Sequence, residues 1–442
     1  MSNKIFLSFL GTNNYKECVY EFTGEDLKIQ TEFTQIAIIK KHKNEINKYL
    51  FFLTKDAKEK NWSGENKLLS KILSENIDKC LIHEIDIPNG FNTQELLDIF
   101  DKLVNNVDQN SQLIIDVTHS FRSLPLNLSS VINYLKVTKN VYVEKIYYGA
   151  FEVLGNPRDV ENIPVENRIV KMLDITYLDA INEWTLAIYN FLEYGRAEKL
   201  KHLSEKDIKP ILSETKGKDI TASTIRNVTK ELSEFMDAIY TCRSKDILDF
   251  LKTKLLKMLS EIDKIINPNE NYLIPQLYIP FQKLKNQINK LNENNHYFAF
   301  LKIVEWCLRY NWIQQGYTIL NEGLLSYFMA ICNEDEIAIE SNNNSREIFS
   351  KTIRIAENNI PEHEWIVKND DEKEKIKSII CKINNSPILA NLVKEKIFSE
   401  ISDIRNDINH AGFRNNSMSS KNISNKLREL YLKVMKLLET KN

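Results

Sequence analysis

Glycine is scarce in this chain: 11 of 442 residues, about 2.5 % against a usual value of roughly 7 %. No GxGxxG or GxxxxGKS/T run occurs, which excludes a glycine-rich phosphate cradle. Collagen-like, low-complexity and turn-dense all-β chains are excluded on the same ground. Neither sign of charge dominates, with 59 Lys+Arg against 61 Asp+Glu and a formal charge of −2, so nucleic-acid binding by bulk charge is excluded as well. The six cysteines, Cys18, Cys80, Cys242, Cys307, Cys332 and Cys381, form no CxxC pair. A zinc cluster and a thioredoxin-like motif are therefore unsupported, and isolated thiols fit a reducing compartment. The apolar run Ile5 to Leu10 is too short for a signal peptide, and no run approaches the roughly 20 residues of a membrane span. A cytoplasmic chain is expected. What is present is 43 % hydrophobic residues over a length that suggests two to four domains.

The first 175 residues alternate strand-like and helix-like segments. Ile5 to Leu10, Tyr49 to Thr54, Leu81 to Ile87, Leu113 to Val117 and Val141 to Tyr148 are short apolar runs bounded by turn residues. Between them, Thr31 to Leu50, Thr93 to Val107 and Leu124 to Leu135 are expected to be helical. Strands apolar on both faces and alternating with helices predict a parallel, doubly wound sheet. After Asp174 strand signals fade and 3.6-residue periodicity takes over: Thr176 to Glu193, two helices within Leu232 to Ile266, then Phe298 to Phe328 and Ser386 to Ile404. Pro268, Pro275 and Pro280, with Asn267, Asn269 and Asn271, mark an internal boundary. Residues 341–345 and 414–421 read as polar loops. The chain divides into an α/β domain over 1–175, a helical linker over 176–290 and an all-α domain over 291–442.

Ligands of a doubly wound sheet bind outside the carboxyl ends of its strands. Two segments occupy such ends: Leu10-Gly11-Thr12-Asn13-Asn14-Tyr15, and Asp116-Val117-Thr118-His119-Ser120-Phe121-Arg122-Ser123-Leu124-Pro125. The second sets a carboxylate, hydroxyls, an imidazole and a guanidinium just before a helix whose first turn suits Pro125 and attracts anions. Arg122 can fork onto a phosphate, and Thr12, Asn13 and Asn14 can bond sugar or base edges. On spacing alone an ordinary polar loop, with Asp116 tying down a backbone turn, accounts for these residues equally well.

LGTNNY, FFLTKDAKEKNW (51–62), DVTHSFRSLP (116–125) and IYYGAFE (146–152) occur in that order, followed by Leu173 to Trp184. Together they resemble the CARF domain (CRISPR-associated Rossmann fold) of ancillary proteins from type III CRISPR systems. The resemblance covers about 180 residues. It implies that the ligand is a cyclic oligoadenylate, the four-adenylate ring being expected, held across a two-fold dimer. It places the contacts at Gly11, Thr12, Asn13, Asn14, Asp116, Thr118, His119, Ser120 and Arg122. Ser120 stands where similar sequences often have glycine, which bears on ring size.

Only seven histidines occur, and His410 lies in Ile401-Ser402-Asp403-Ile404-Arg405-Asn406-Asp407-Ile408-Asn409-His410-Ala411-Gly412. Ile401, Ile404, Ile408 and Ala411 make an apolar helix face, and Gly412 reads as its stop. At 100° per residue Asn406 and His410 are about 40° apart, whereas Arg405 and His410 are about 140° apart. Asn406 can therefore orient the imidazole, while Arg405 needs a distorted helix end or a second copy of the chain to meet it. Imidazole and guanidinium suit RNA cleavage without metal: His410 exchanges protons with the 2′-hydroxyl and the leaving oxygen, and Arg405 stabilises charge on the phosphate. A surface helix capped by its own histidine is the bland alternative.

The RNxxxH form near the end of an all-α region behind a CARF domain resembles the HEPN ribonuclease domain. Its first helices would fall in Phe298 to Phe328, with Trp306, Trp312 and Leu320 in the core and Glu322 structural. Residues 391–442 hold ten Lys+Arg and six Asp+Glu, an excess of 10 − 6 = 4 positive charges, as an RNA site favours. His83, Glu84 and Asp86 alternate along a strand and suggest no metal site, and His363 reads as solvated.

The expectation is a homodimer, with higher assembly open, that is activated by cyclic oligoadenylate to cleave single-stranded RNA. It uses no metal or cofactor and touches no membrane. A non-catalytic ligand sensor or transcription regulator is one alternative, and a CARF site that degrades its own ring is another.

Overall fold

A computed structural model describes residues 3–63, 69–119, 124–155, 157–266, 277–340, 342–415 and 417–439. Two compact units emerge, Met1–Ala180 and Ile181–Asn442. The first is an α/β sheet domain and the second is all-helical among its described residues, as the sequence led us to expect.

The sheet has eight strands: β1 (Asn3–Phe9), β2 (Cys18–Phe22), β3 (Lys28–Thr31), β4 (Lys48–Leu53), β5 (Ile82–Asp86), β6 (Ser111–Asp116), β7 (Tyr142–Gly149) and β8 (Ile169–Asp174). Their order is β3-β2-β8-β7-β6-β1-β4-β5. The five apolar runs form a parallel block, β7-β6-β1-β4-β5, in which β1 pairs with both β4 and β6. Ile5, Leu7 and Phe9 pack on one face with the helices Thr93–Asn106 and Leu124–Lys139, through Ile99, Leu103, Val131 and Leu135. Phe6, Phe51 and Ile114 face the other way, toward Ile36 and Ile39 of the helix Thr34–Lys41. Burial on both faces is the reason β1, β4 and β6 read as apolar runs, whereas the edge strand β5 is half-buried to exposed and carries His83, Glu84 and Asp86.

The sheet is mixed rather than wholly parallel. β8 runs antiparallel to β7, and β2 pairs parallel with β8 and antiparallel with β3. The β2–β3 hairpin turns at Gly24, whose φ is +83°. β2 alternates buried and half-buried positions and β3 exposed and half-buried ones, so no apolar run announced them. The helix expected over Thr31 to Leu50 covers only Thr34–Lys41, because Lys48 onward belongs to β4.

In the second unit, Phe298 to Phe328 is two helices, His296–Arg309 and Ile313–Ile331, broken where Asn311 turns left-handed at φ 57°. Trp306, Trp312 and Leu320 lie in the core. Ser386 to Ile404 likewise divides into Pro387–Lys394 and Ile397–Asn409, with Lys396 at φ 52° between them. The expected loop at 341–345 instead opens the helix Asn343–Glu357, capped by Asn342, whose side chain accepts from the Ser345 N–H. The loop expected at 414–421 ends early, since Ser420–Glu439 is helical. Pro268 and Pro275 with Asn267, Asn269 and Asn271, Ser341, and Ser120 to Ser123 including Arg122 lie outside the described residues. No helix among the described residues is long and apolar enough to cross a membrane.

Candidate functional site

In the parallel block the chain leaves β1 toward β4 and β6 toward β7, so the strand order reverses between β1 and β6. A crevice opens at the carboxyl ends of such a pair. Gly11 to Asn14 follow β1 and Thr118 and His119 follow β6, so the structure brings the two predicted loops to one place.

Buried polar groups hold them there. Asp116 is 1 % exposed. Its Oδ1 accepts from the Thr118 N–H at 3.0 Å and its Oδ2 from the Ser8 hydroxyl at 2.9 Å. Burial pushes its pKa up, and the bonds from Thr118 and Ser8 oppose that. With both oxygens engaged beneath the loop, Asp116 acts on its backbone. Thr118 Oγ1 in turn accepts from the Gly149 N–H at 2.8 Å, joining the ends of β6 and β7. A Cβ on Gly149 would sit 2.7 Å from Thr34 Cγ2, so only glycine fits that approach.

The first loop is held by Asn61, a buried side chain that the sequence reading did not single out. Its Nδ2 donates to the Gly11 and Asn13 carbonyls at 2.9 and 3.0 Å. The signal was a lone amide directly after the charged run Lys55 to Lys60, on the helical segment that Thr54 caps. The Gly11 N–H donates to the Tyr15 hydroxyl at 2.9 Å. Tyr15 meets His119 edge to face, with ring centroids 4.5 Å apart at 87°. His119 Nε2 is buried and has no hydrogen-bond partner among the described residues. Burial pulls its pKa down to about 4, so the ring is neutral at pH 7. Asn13 and Asn14 are exposed, and Gly11, Thr12 and Thr118 are half-buried.

In the second unit Arg405, Asn406 and His410 lie on or just after the helix Ile397–Asn409. Glu357, also missed in the sequence, anchors its start. That carboxylate accepts from the Phe398 and Ser399 N–H groups at 2.9 and 3.0 Å, charge well placed at a helix N-terminus. The apolar face is Ile397, Ile401 and Ile404; Ile408 is half-buried and Ala411 exposed beyond the helix end, contrary to the face drawn from spacing. Asp407 is buried in their place, and its Oδ2 accepts from the Met418 N–H at 2.9 Å. His410 caps the C-terminus, its N–H donating to the Asn406 carbonyl at 3.0 Å, and Ala411 and Gly412 turn left-handed behind it at φ 53° and 75°. Asn406 and His410 are exposed, and no hydrogen bond joins their side chains among the described residues. Arg405 turns toward Glu322, 3.5 Å away, and Glu322 is held by Arg346 at 2.8 Å. Arg405 is thus paired with Glu322, and no hydrogen bond joins it to His410 among the described residues.

Among the described residues no group of three or more His, Cys, Asp or Glu could hold a metal ion. Glu84 and Asp86 pair with Lys58 at 3.0 and 2.9 Å. His363 is exposed beside Glu364.

No protein-family model matches the chain. In sequence it is similar to the CRISPR-associated protein MJ1674 of Methanocaldococcus jannaschii, 25 % identical over 338 residues, 75 % of this chain and 42 % of that protein. The chain thus spans under half the length of that relative. The solved structure of Enterococcus italicus Csm6 bound to cyclic hexa-2′-fluoro-hexa-dAMP aligns with 99 % of this chain and 95 % of its own, at 13 % identity and a TM-score of 0.38; no residue role is carried over from it. The similarity in sequence to a CRISPR-associated protein agrees with the resemblance of the motifs to CRISPR ancillary proteins.

Proposed function

We propose that this chain, a CARF–HEPN-type CRISPR ancillary protein, is an endoribonuclease switched on by a cyclic oligoadenylate. The observation that carries the reading is the meeting of the Gly11–Asn14 and Thr118–His119 loops at the carboxyl ends of β1 and β6, over a buried imidazole nitrogen with no partner among the described residues. In this reading Gly11, Thr12, Asn13, Asn14, Thr118 and His119, with Ser120 and Arg122, contact the ring, and Asp116 and Asn61 position them. The domains are 1–175 for the ring, 176–290 as helical linker and 291–442 for RNA. His410 takes the 2′-hydroxyl proton as a neutral imidazole, and its protonated form supplies one to the leaving 5′-oxygen. Asn406 orients the imidazole and Arg405 bears on the phosphate. Because Arg405 is paired with Glu322 and lies about 140° around an ideal helix from His410, the working unit is a homodimer whose second copy completes the cleft. The ring must favour the active arrangement, since tight binding alone shifts nothing.

The test is cleavage of labelled single-stranded RNA in excess EDTA, with and without cyclic tetra-adenylate. Ring-dependent cleavage that Arg405→Ala and His410→Ala each abolish supports the reading. Unchanged cleavage in both variants overturns the site, and ring binding without cleavage makes the chain a sensor. Loss of the ring itself in the His410→Ala protein would make the first domain a ring nuclease.

A further inference from the structure

Phe413 is 93 % exposed, the most exposed of the large apolar side chains among the described residues. It lies three residues beyond His410 on a loop that is firmly built. The Gly412 N–H donates to the Asp407 carbonyl at 3.3 Å and the Phe413 N–H to the His410 carbonyl at 3.1 Å. At the far end Asp407 Oδ2 accepts from the Met418 N–H at 2.9 Å. Arg414 Nη1 donates to the Asp403 carbonyl at 3.4 Å, and the Ser417 N–H to the Arg414 carbonyl at 3.2 Å. A phenyl ring is thus held in water by its backbone beside the proposed site.

Its surroundings say what fits it. Asn406, Asn409, His410, Arg414 and Asn415 are all exposed, so the ring stands alone in a polar field. A protein partner would want a contiguous apolar patch, and the described residues of this loop offer none beside it. From Arg405 to Lys421 the basic residues are Arg405, Arg414 and Lys421, while the one carboxylate, Asp407, is buried. An aromatic face, flanking cations and amide groups are what a nucleotide presents a match for: a base to stack, a phosphate to pair and polar edges to bond.

We propose that Phe413 is a stacking platform for one base of the single-stranded RNA, holding the nucleotide next to the scissile phosphate against His410. This rests on the ribonuclease reading. Because the side chain buries almost nothing in the chain itself, its replacement leaves the fold intact.

The probe is a fluorescein-labelled 2′-O-methyl oligoribonucleotide, which lacks the attacking hydroxyl, titrated by anisotropy. Phe413→Ala is expected to weaken binding roughly 5- to 100-fold, and Phe413→Tyr to bind within about threefold of wild type. An abasic nucleotide at one position should weaken the wild type and leave Phe413→Ala unmoved. If Phe413→Ala binds as tightly as a wild type that cleaves RNA, the platform is wrong and the ribonuclease stands. If sedimentation velocity shows Phe413→Ala losing an assembly of copies, the ring belongs to a protein interface and the proposal falls. If the wild type neither binds nor cleaves RNA, both readings fall.

Discussion

Glu322 shares its carboxylate between two guanidinium groups: Oε2 pairs with Arg346 at 2.8 Å and Oε1 lies 3.5 Å from Arg405. The Arg346 contact is a hydrogen-bonded ion pair, and Arg346 also donates to the Ser326 hydroxyl and the Ile339 and Glu322 carbonyls. The Arg405 contact exceeds a good hydrogen-bond length, so a phosphate offering forked geometry can draw Arg405 away at little cost. Glu322 acts here as a positioning residue. Under the ribonuclease reading, Glu322→Gln should lower the ring-stimulated rate roughly tenfold to a hundredfold through kcat, with RNA KM nearly unchanged. Steady-state kinetics on a short RNA checks this, and a change confined to KM would contradict it.

The proposed ring site rests on Asp116. Asp116→Asn keeps an acceptor for the Thr118 N–H, whereas Asp116→Ala frees both Thr118 and Ser8. Calorimetric titration with cyclic tetra-adenylate should show Asp116→Ala binding about tenfold more weakly or worse, and Asp116→Asn nearer to wild type. Equal affinities for the alanine variant and wild type would remove Asp116 from the account.

The strands β1, β4 and β6 were legible because each is apolar on both faces: Phe6 and Leu7 point opposite ways and both are buried. The loops at the ends of β1 and β6 followed from that alternation. Asn61, Glu357 and the inward turn of Asp407 were not legible, because each polar group is buried through partners far along the chain or in backbone, such as Phe398 for Glu357. The break at Asn311 escaped notice because asparagine takes up φ 57° without the glycine that usually signals it.

Stability should depend on pH through His119. Its folded pKa of about 4 lies below the ordinary histidine value of 6.5, so the unfolded chain binds the proton first. Below pH 6.5 the folded state therefore loses stability as pH falls toward about 4, by up to roughly 1.4 kcal/mol per pH unit, and above 6.5 the contribution is complete. Urea unfolding of wild type and His119→Gln from pH 7 to 4.5 should show the wild type losing ground steadily against the variant. A constant difference would contradict the burial of this ring.

Lys136 Nζ donates to Asp179 Oδ1 at 2.6 Å, and the two side chains are only 13 % and 9 % exposed. Lys136 is near the end of the helix Leu124–Lys139, and Asp179 lies in the first turn of the helix Tyr177–Tyr194 that leads out of the first unit. Lys136→Met should cost about 3 kcal/mol by leaving a buried carboxylate without this cation, and Lys136→Met/Asp179→Leu should recover most of it. Urea unfolding checks both, and a double variant no more stable than the single would contradict the pairing.

The central claim is that ring binding in one domain switches on metal-free RNA cleavage at His410 in another. Its most direct measurement is the single-turnover rate of RNA cleavage by the full chain in EDTA, with and without cyclic tetra-adenylate, with the product ends identified by mass spectrometry. The account predicts a ring-dependent rate that yields 2′,3′-cyclic phosphate and 5′-hydroxyl ends and vanishes in His410→Ala. Equal rates with and without the ring, or full activity in His410→Ala, would contradict it.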